Sequence, residues 1–169
     1  MSFGSGGASK NWASRIADFE VGGRTFHRII ARYVEDKEGS FSSRTEAGNI
    51  GTEVLANFTL DFDYAHNVIW FKSVSGFTPS PFSRSGISLY RDRPGSLVVV
   101  NTVPGGPADL AGFREGDAIV SIANKSATAM MSRELMRTFT QAAGTKVPIV
   151  YRRKGQQENA TIVLKELLP

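Results

Sequence analysis

The segment Ser73-Val-Ser-Gly-Phe-Thr-Pro-Ser-Pro-Phe82 constrains this chain more than any other. It has two prolines spaced by one residue, small polar side chains and no charge, so its backbone favours extended, solvated conformations over packing. It lies near the midpoint of 169 residues and leaves two short stretches, each needing its own core. The charge balance changes sign at the same place. Residues 1–81 hold eight basic and nine acidic groups, a net of −1, whereas 82–169 hold twelve and seven, a net of +5. These features place a first domain at 1–75, a linker at 76–83 and a second domain at 84–169.

Composition removes several kinds of chemistry. With no cysteine there is no disulfide, thiol nucleophile or zinc–thiolate site, and two histidines, His27 and His66, cannot build a multi-histidine metal centre. No metal and no cofactor is expected. Apolar residues at 41% support a packed core, but no run approaches the ~18 residues of a membrane span. The Gly/Ser-rich start, Met1 to Lys10, lacks the apolar stretch of a signal peptide. The net charge of +4 is scattered as singlets apart from Arg152-Arg153-Lys154, which precedes Gly155 and reads as a solvated hairpin turn. With no aromatic stacking motif beside it, nucleic acid is not an expected partner.

Patterning in the first segment is mostly β. Phe19 to Phe26 reads as strand, Gly-Gly turn and strand, continued by Ile29, Ile30 and Val34. Residues 35–47 are polar and loop-like. Apolar residues at 50, 54, 55 and 58 have helical spacing. Phe58, Leu60, Phe62 and Tyr64 then alternate with polar residues, Ala65-His-Asn67 turns, and Val68 to Phe71 returns. His27 reads as a structural histidine in a strand and His66 as an exposed one in a turn.

The second segment is a short α+β unit. Strands at Gly86–Leu89 and Leu97–Val100 flank a turn, Pro107–Gly112 forms a one-turn helix ending at glycine, and Ala118–Ile122 is a buried strand. Ser132 is placed to cap a helix running to about Ala143, stopped by Gly144. Val147–Tyr151 and Thr161–Leu167 close a hairpin. Asp117 reads as a turn residue satisfying local N–H groups.

Val103-Pro-Gly-Gly-Pro-Ala-Asp-Leu-Ala-Gly-Phe-Arg-Glu-Gly-Asp-Ala-Ile-Val-Ser-Ile122 closely resembles the signature of bacterial PDZ domains, and Asn124-Lys125 and the helix-Gly-strand-Arg-x-Gly ending match as well. The resemblance covers about 84–167. It implies a five- to six-stranded, partly open barrel with two helices, in which an extended peptide adds to a sheet edge beside the long helix. Its terminal carboxylate is then received by N–H groups of the loop before the first strand. Ser85, Gly86, Ile87, Ser88 and Leu89 stand at that loop and strand, departing from the family's Gly-Φ-Gly-Φ pattern. Met131, Leu135 and Phe139 form one row of the helix, with Met136 and Ala143 on the next; one row must face the core. Expected partners are peptide or protein C-termini.

In the first segment, Ala47 to Tyr64 followed by Asn67 to Phe71 resembles the end of a retropepsin- or pepsin-type aspartic protease domain: a Gly-x-Ile-Gly turn, a short helix with a buried leucine, and a strand ending Asp-Tyr before a hairpin. The overall expectation is a mainly β, α+β chain, the tail of an aspartic protease β domain followed by a PDZ domain, with a cell-envelope or periplasmic location implied by that resemblance. The catalytic pair is missing. Asp18, Asp36, Asp61, Asp63, Asp92, Asp109 and Asp117 all lack the Asp-Thr/Ser-Gly context, and Asp61 and Asp63 lie on one strand face about 7 Å apart. No catalytic residue is therefore assigned and no peptidase activity is expected of this chain alone. No Gly-x-Ser-x-Gly elbow or phosphate loop is present, Gly144-Thr-Lys146 included. A truncated protease domain leaves Phe58, Leu60, Phe62, Ile69 and Phe71 uncovered, and self-association through them is expected. A non-enzymatic PDZ adaptor is the alternative. The PDZ end of a trypsin-like envelope protease is disfavoured, because Gly48–Tyr64 does not resemble that fold's end.

Overall fold

The computed structural model describes residues 2–4, 7–9, 11–34, 45, 48–76, 81–92 and 95–168, with the backbone alone for 2–4, 7–9 and 11. The loop read at 35–47, apart from Thr45, and linker residues 77–80 lie outside the described residues. The chain divides into two compact units, Ser2–Ser80 and Pro81–Pro169.

The first unit contains three two-stranded antiparallel sheets: β1 (Ser2–Gly4) with β2 (Gly7–Ser9), β3 (Asn11–Val21) with β4 (Arg24–Val34), and β5 (Phe58–Asp63) with β6 (Val68–Ser73). The Gly22-Gly23 turn has φ of +59° and +71°, which side chains resist. Gly22 is further required by space, because a Cβ there would sit 2.7 Å from Phe71 Cβ. The hairpin turn therefore lies directly on β6. Phe26, Val54 and Phe58 form the buried cluster, with Phe19, Val21, Ile29, Leu60 and Phe71 packed against it. Phe58 meets Phe26 and Phe71 edge-on, with centroids 5.9 and 5.2 Å away.

Several expectations change here. The helix spans only α1 (Thr52–Leu55). Asn57, itself buried, ends it by donating through Nδ2 to the carbonyls of Glu53 and Val54 at 2.7 and 3.0 Å. Val54 is the buried residue, while Leu55 is half-buried and Ile50 exposed, so the buried leucine of the protease resemblance is not found. The apolar face expected to be bare is covered at its Phe58 end; Phe62 and Ile69, near the Tyr64–Asn67 turn, remain about half exposed. His27 lies in β4 as read and is satisfied there by Asp18, 2.6 Å from its Nδ1, on the exposed face of the hairpin. His66 is exposed, as expected, and meets Asp63 at 2.7 Å.

The second unit is built on one antiparallel sheet in the order β12-β11-β9-β8-β7, with β10 paired to β9. The strands are β7 (Ile87–Arg91), β8 (Leu97–Thr102), β9 (Ala118–Ile122), β10 (Lys125–Ser126), β11 (Lys146–Arg153) and β12 (Gln156–Val163). The sheet stays open, with β7 and β12 as its edges. Helix α2 (Pro107–Leu110) has Pro107 at its first turn, and α3 (Ser132–Phe139) supplies Phe139 to a core that includes Val99, Phe113, Ile122, Ile149, Ile162 and Leu164.

Helix α3 ends four residues before the expected stop. Thr140 caps it, and residues 140–145 are drawn into a turn where the Gly144 N–H donates to Leu164 O and the Leu164 N–H to Thr145 O, both within 3 Å. Its N-cap is Met131 with no side-chain cap bond, so Ser132 is the first helical residue and not the cap. The final hairpin turns at Lys154-Gly155, with φ of +50° and +82°, and β12 begins at Gln156 instead of Thr161. Ala123 and Asn124 likewise have positive φ and form the β9–β10 turn without glycine.

Asp117 does accept locally, from the Arg114 N–H at 2.8 Å, but its main partner is distant. Arg153 meets it through two bonds, Nε to Oδ1 at 2.8 Å and Nη2 to Oδ2 at 2.7 Å, and also donates to Gly112 O at 2.7 Å. Asp117 is 1% exposed, so Arg153 belongs to a buried fork–fork pair and is no part of a solvated basic turn. The Asp117 bond holds the guanidinium protonated even beyond its ordinary range, against the opposing effect of burial. Asp117→Ala leaves the largely buried Arg153 with only the distant Glu158 carboxylate, 3.8 Å away, and Gly112 O, and should lower the unfolding free energy by about 3 kcal/mol, read by chemical denaturation.

Tyr151, beside Phe113 with centroids 4.9 Å apart, donates its hydroxyl to Glu158 at 2.7 Å. Burial first, and then that bond, raise its pKa from 10.0. The unfolded chain therefore loses this proton before the folded one does. The associated stability is complete below pH 10 and declines as pH rises through the raised value. Denaturation midpoints at pH 8 and at about pH 11 should differ less for Tyr151→Phe than for the parent chain. An equal alkaline loss would exclude this origin.

Candidate functional site

Strand β7 is a sheet edge, bonded to β8 on one side only. Val103 N–H donates to Gly86 O at 2.8 Å, so the period-two alternation of an antiparallel ladder aims the N–H and C=O of Ile87 at the open edge. The chain reaches this strand through Ser85-Gly86. Gly86 is buried with φ +67°, a conformation other residues adopt at a cost of about 1 kcal/mol. The carbonyls of Arg84, Ser85 and Gly86 each accept a backbone bond, from Lys165, Ala108 and Val103 at 3.0, 3.0 and 2.8 Å. With the carbonyls turned inward in this way, the Gly86 N–H has no acceptor among the described residues. The Ile87 N–H leans on Ser85 Oγ at 3.3 Å, a long bond within the loop, and Ser85 Oγ is in turn 2.9 Å from Ser83 Oγ. Two adjacent donors, one without an acceptor among the described residues and one weakly met, thus stand side by side at this turn.

The strand is fixed beside α3 at both ends. At one end the Arg84 N–H donates to Phe139 O at 2.8 Å, and Arg84 Nη1 reaches the carbonyls of Thr140 and Gln141 at 2.8 and 3.2 Å. Glu166 pairs with the same guanidinium at 2.8–2.9 Å. At the other end Arg91 Nη2 donates to Met130 O and Ala127 O at 2.7 and 3.2 Å, and Nη1 to Gly95 O at 2.6 Å. Arg84 thus meets the C-terminal end of α3, and Arg91 the segment before its N-terminus. Strand and helix therefore run antiparallel on either side of the candidate groove.

Of the residues read from sequence, Ser85 and Gly86 are buried in the loop, and Ile87, Ser88 and Leu89 are half-buried along the strand. On the helix, Met131 is 74% exposed at the cap, Leu135 is half-buried against the core, and Phe139 is buried in it. Met136, half exposed, stands on the open side of α3. Arg84 and Arg91 were not legible as groove residues, because nothing in their sequence context distinguishes a guanidinium that collects carbonyls from a solvated one. Two concavities of about 400 Å³ lie away from β7 and α3, one on the β9–β11–β12 sheet around Ser121 and Asn159, the other between Pro107, Leu110 and Val163. Among the described residues no group of three His, Cys, Asp or Glu could hold a metal ion, and no helix is long and apolar enough to cross a membrane.

Comparison with known proteins bears on these assignments. No curated protein matches the sequence significantly. Among solved structures, a photosystem II D1 C-terminal processing protease is 23% identical (TM-score 0.46), over 50% of this chain and 23% of its own. A serine endoprotease from Yersinia pestis is 31% identical (TM-score 0.43), over 53% and 30%. The HtrA-type protease AlgW, in a structure with a tripeptide, is 27% identical (TM-score 0.40), over 46% and 29%. The chain thus spans less than a third of the length of each. None of these is named as an aspartic protease, and the aspartic protease resemblance of Ala47–Phe71 is corrected on the structure itself, where Ile50 is exposed and Leu55 only half-buried. Residues 98–153 match the PDZ domain family, and the chain is a mainly β protein carrying a PDZ domain.

Proposed function

We propose that the second unit binds extended peptide ends, which add as a strand along the free edge of β7. The N–H groups of Gly86 and Ile87 receive the terminal carboxylate, with Ser85 and Ser88 shaping the loop around them. Ile87 and Leu89 on the strand, and Met131, Leu135 and Phe139 on or beneath α3, supply the apolar contacts. The single observation that carries this reading is the unmet Gly86 N–H at the mouth of a groove whose walls are tied together at both ends. A module of this kind acts by concentrating its ligand. On a parent chain that also carries a protease, it recruits substrate ends, and a cell-envelope location accords with that setting. Domain boundaries at 1–75 and 84–169 belong to the same proposal.

A matched pair of fluorescent decapeptides, identical but for a free or amidated C-terminus, tests the carboxylate. Anisotropy titration should show at least about tenfold tighter binding of the free acid, the size of a lost charge-assisted contact. Gly86→Ala, which strains the loop, should reduce that difference while leaving the β8–β12 amide resonances in place. Equal affinity for acid and amide would remove the assignment.

A further inference from the structure

The charges around the groove are not balanced. Within the second unit the carboxylates are largely committed to other groups. Asp117 holds Arg153, Glu166 holds Arg84, Glu158 takes the Tyr151 hydroxyl, and Glu134 pairs with Lys125 of β10. Asp92, which follows β7, turns back to accept the Ser96 N–H at 2.7 Å, and Asp109 accepts the Gly105 N–H at 2.8 Å. Arg133 and Arg137 are exposed, one helical turn apart on α3, with no carboxylate partner among the described residues.

Arg137, in the last turn, suits the helix dipole, but the spacing of the pair and the place of Arg133 do not favour the helix. Two like charges at i and i+4 repel, and Arg133 lies in the first turn, where the helix dipole already places positive charge. Helix α3 is bounded on one side by β10, through the Glu134–Lys125 pair, and buries Thr138 and Phe139. Its exposed stripe is Ser132, Arg133, Met136 and Arg137. With Glu134 turned to β10 and Phe139 inward, the helical period sets Ser132 and Met136 on the β7 side of that stripe and Arg133 and Arg137 on its solvent side, where they act on a bound peptide through solvent.

We infer that the groove selects acidic peptides, in which Asp or Glu residues upstream of an apolar carboxyl end are drawn by the positive field of Arg133 and Arg137. This rests on the peptide-binding reading above and adds the ligand class. Rim charges act over a distance and in solvent, so they contribute chiefly through association rate and discrimination between ligands, and salt weakens them.

The test uses the 169-residue chain and three labelled peptides that share one apolar C-terminal sequence and carry a run of glutamate, serine or lysine upstream. Affinity should fall from glutamate to serine to lysine, with about tenfold between the extremes at low salt and little difference near 0.5 M. Arg133→Glu with Arg137→Glu should reverse the order, and the two Gln replacements should flatten it. Arg114→Glu, an exposed change in the turn before β9, should leave it intact. The thermal midpoint of the double Gln variant should stay close to the parent's, since it relieves the like-charge repulsion while giving up the favourable last-turn charge of Arg137. Equal affinity for all three peptides overturns the inference and leaves the groove assignment standing, as does an acidic preference that survives charge reversal. Failure of all three peptides to bind removes both.

Discussion

The candidate groove depends on two arginines that tie an edge strand to the ends of a helix through backbone carbonyls. A sheet edge offers unpaired N–H and C=O groups to any passing strand, and a short helix beside it has only partly committed packing. Arg84 and Arg91 convert that loose pairing into a fixed width. The guanidinium group is well matched to this role, since its planar fork reaches several carbonyls at once and the carbonyls at a helix end lack intrahelical partners. Lysine, a single point charge on a flexible stem, could not span Ala127, Met130 and Gly95 together.

A second constraint works at the opposite end of the domain. The turn from Gly112 to Asp117 has to leave α2 and enter β9 without regular secondary structure. Asp117 closes it locally through the Arg114 N–H, and Arg153 ties it to β11 through the same carboxylate and through Gly112 O. A buried carboxylate without that guanidinium would destabilise the domain, so the pair fixes the path of the turn more than it adds net stability. The Phe113–Tyr151 contact, with Arg153 lying 5.2 Å from the Tyr151 ring centroid, completes the joint.

The first unit is organised differently. Its buried cluster of Phe26, Val54 and Phe58 is small for its length, and its long β3–β4 hairpin is held where the Gly22 turn rests on Phe71. Ala47–Phe71 looked like the close of an aspartic protease because turn, short helix and alternating strand occur in that order. The same order arises wherever a helical turn feeds a hairpin. What separates the cases is which residue is buried. Here Asn57 stops the helix after one turn, which puts Val54 inside and leaves Leu55 only half covered.

Much of the second unit was legible in the primary structure. Proline and glycine restrict φ whatever surrounds them, so Pro107, Gly112 and Gly155 marked a helix start, a helix end and a turn, and apolar runs marked β8 and β9. The Ser85–Leu89 loop and the α3 rows could be named from spacing and resemblance for the same reason. Helix length and charge partnership could not. Where α3 stops depends on Leu164 bonding the 144–145 turn and on Arg84 taking the Thr140 carbonyl, contacts between residues distant in sequence. Arg153 and Arg137 are both basic residues with no telling neighbours; folding buries a carboxylate beside the first and leaves the second exposed. Local covalent geometry fixes backbone propensity within a few residues, whereas burial and pairing depend on which distant groups the packed chain brings within bonding range.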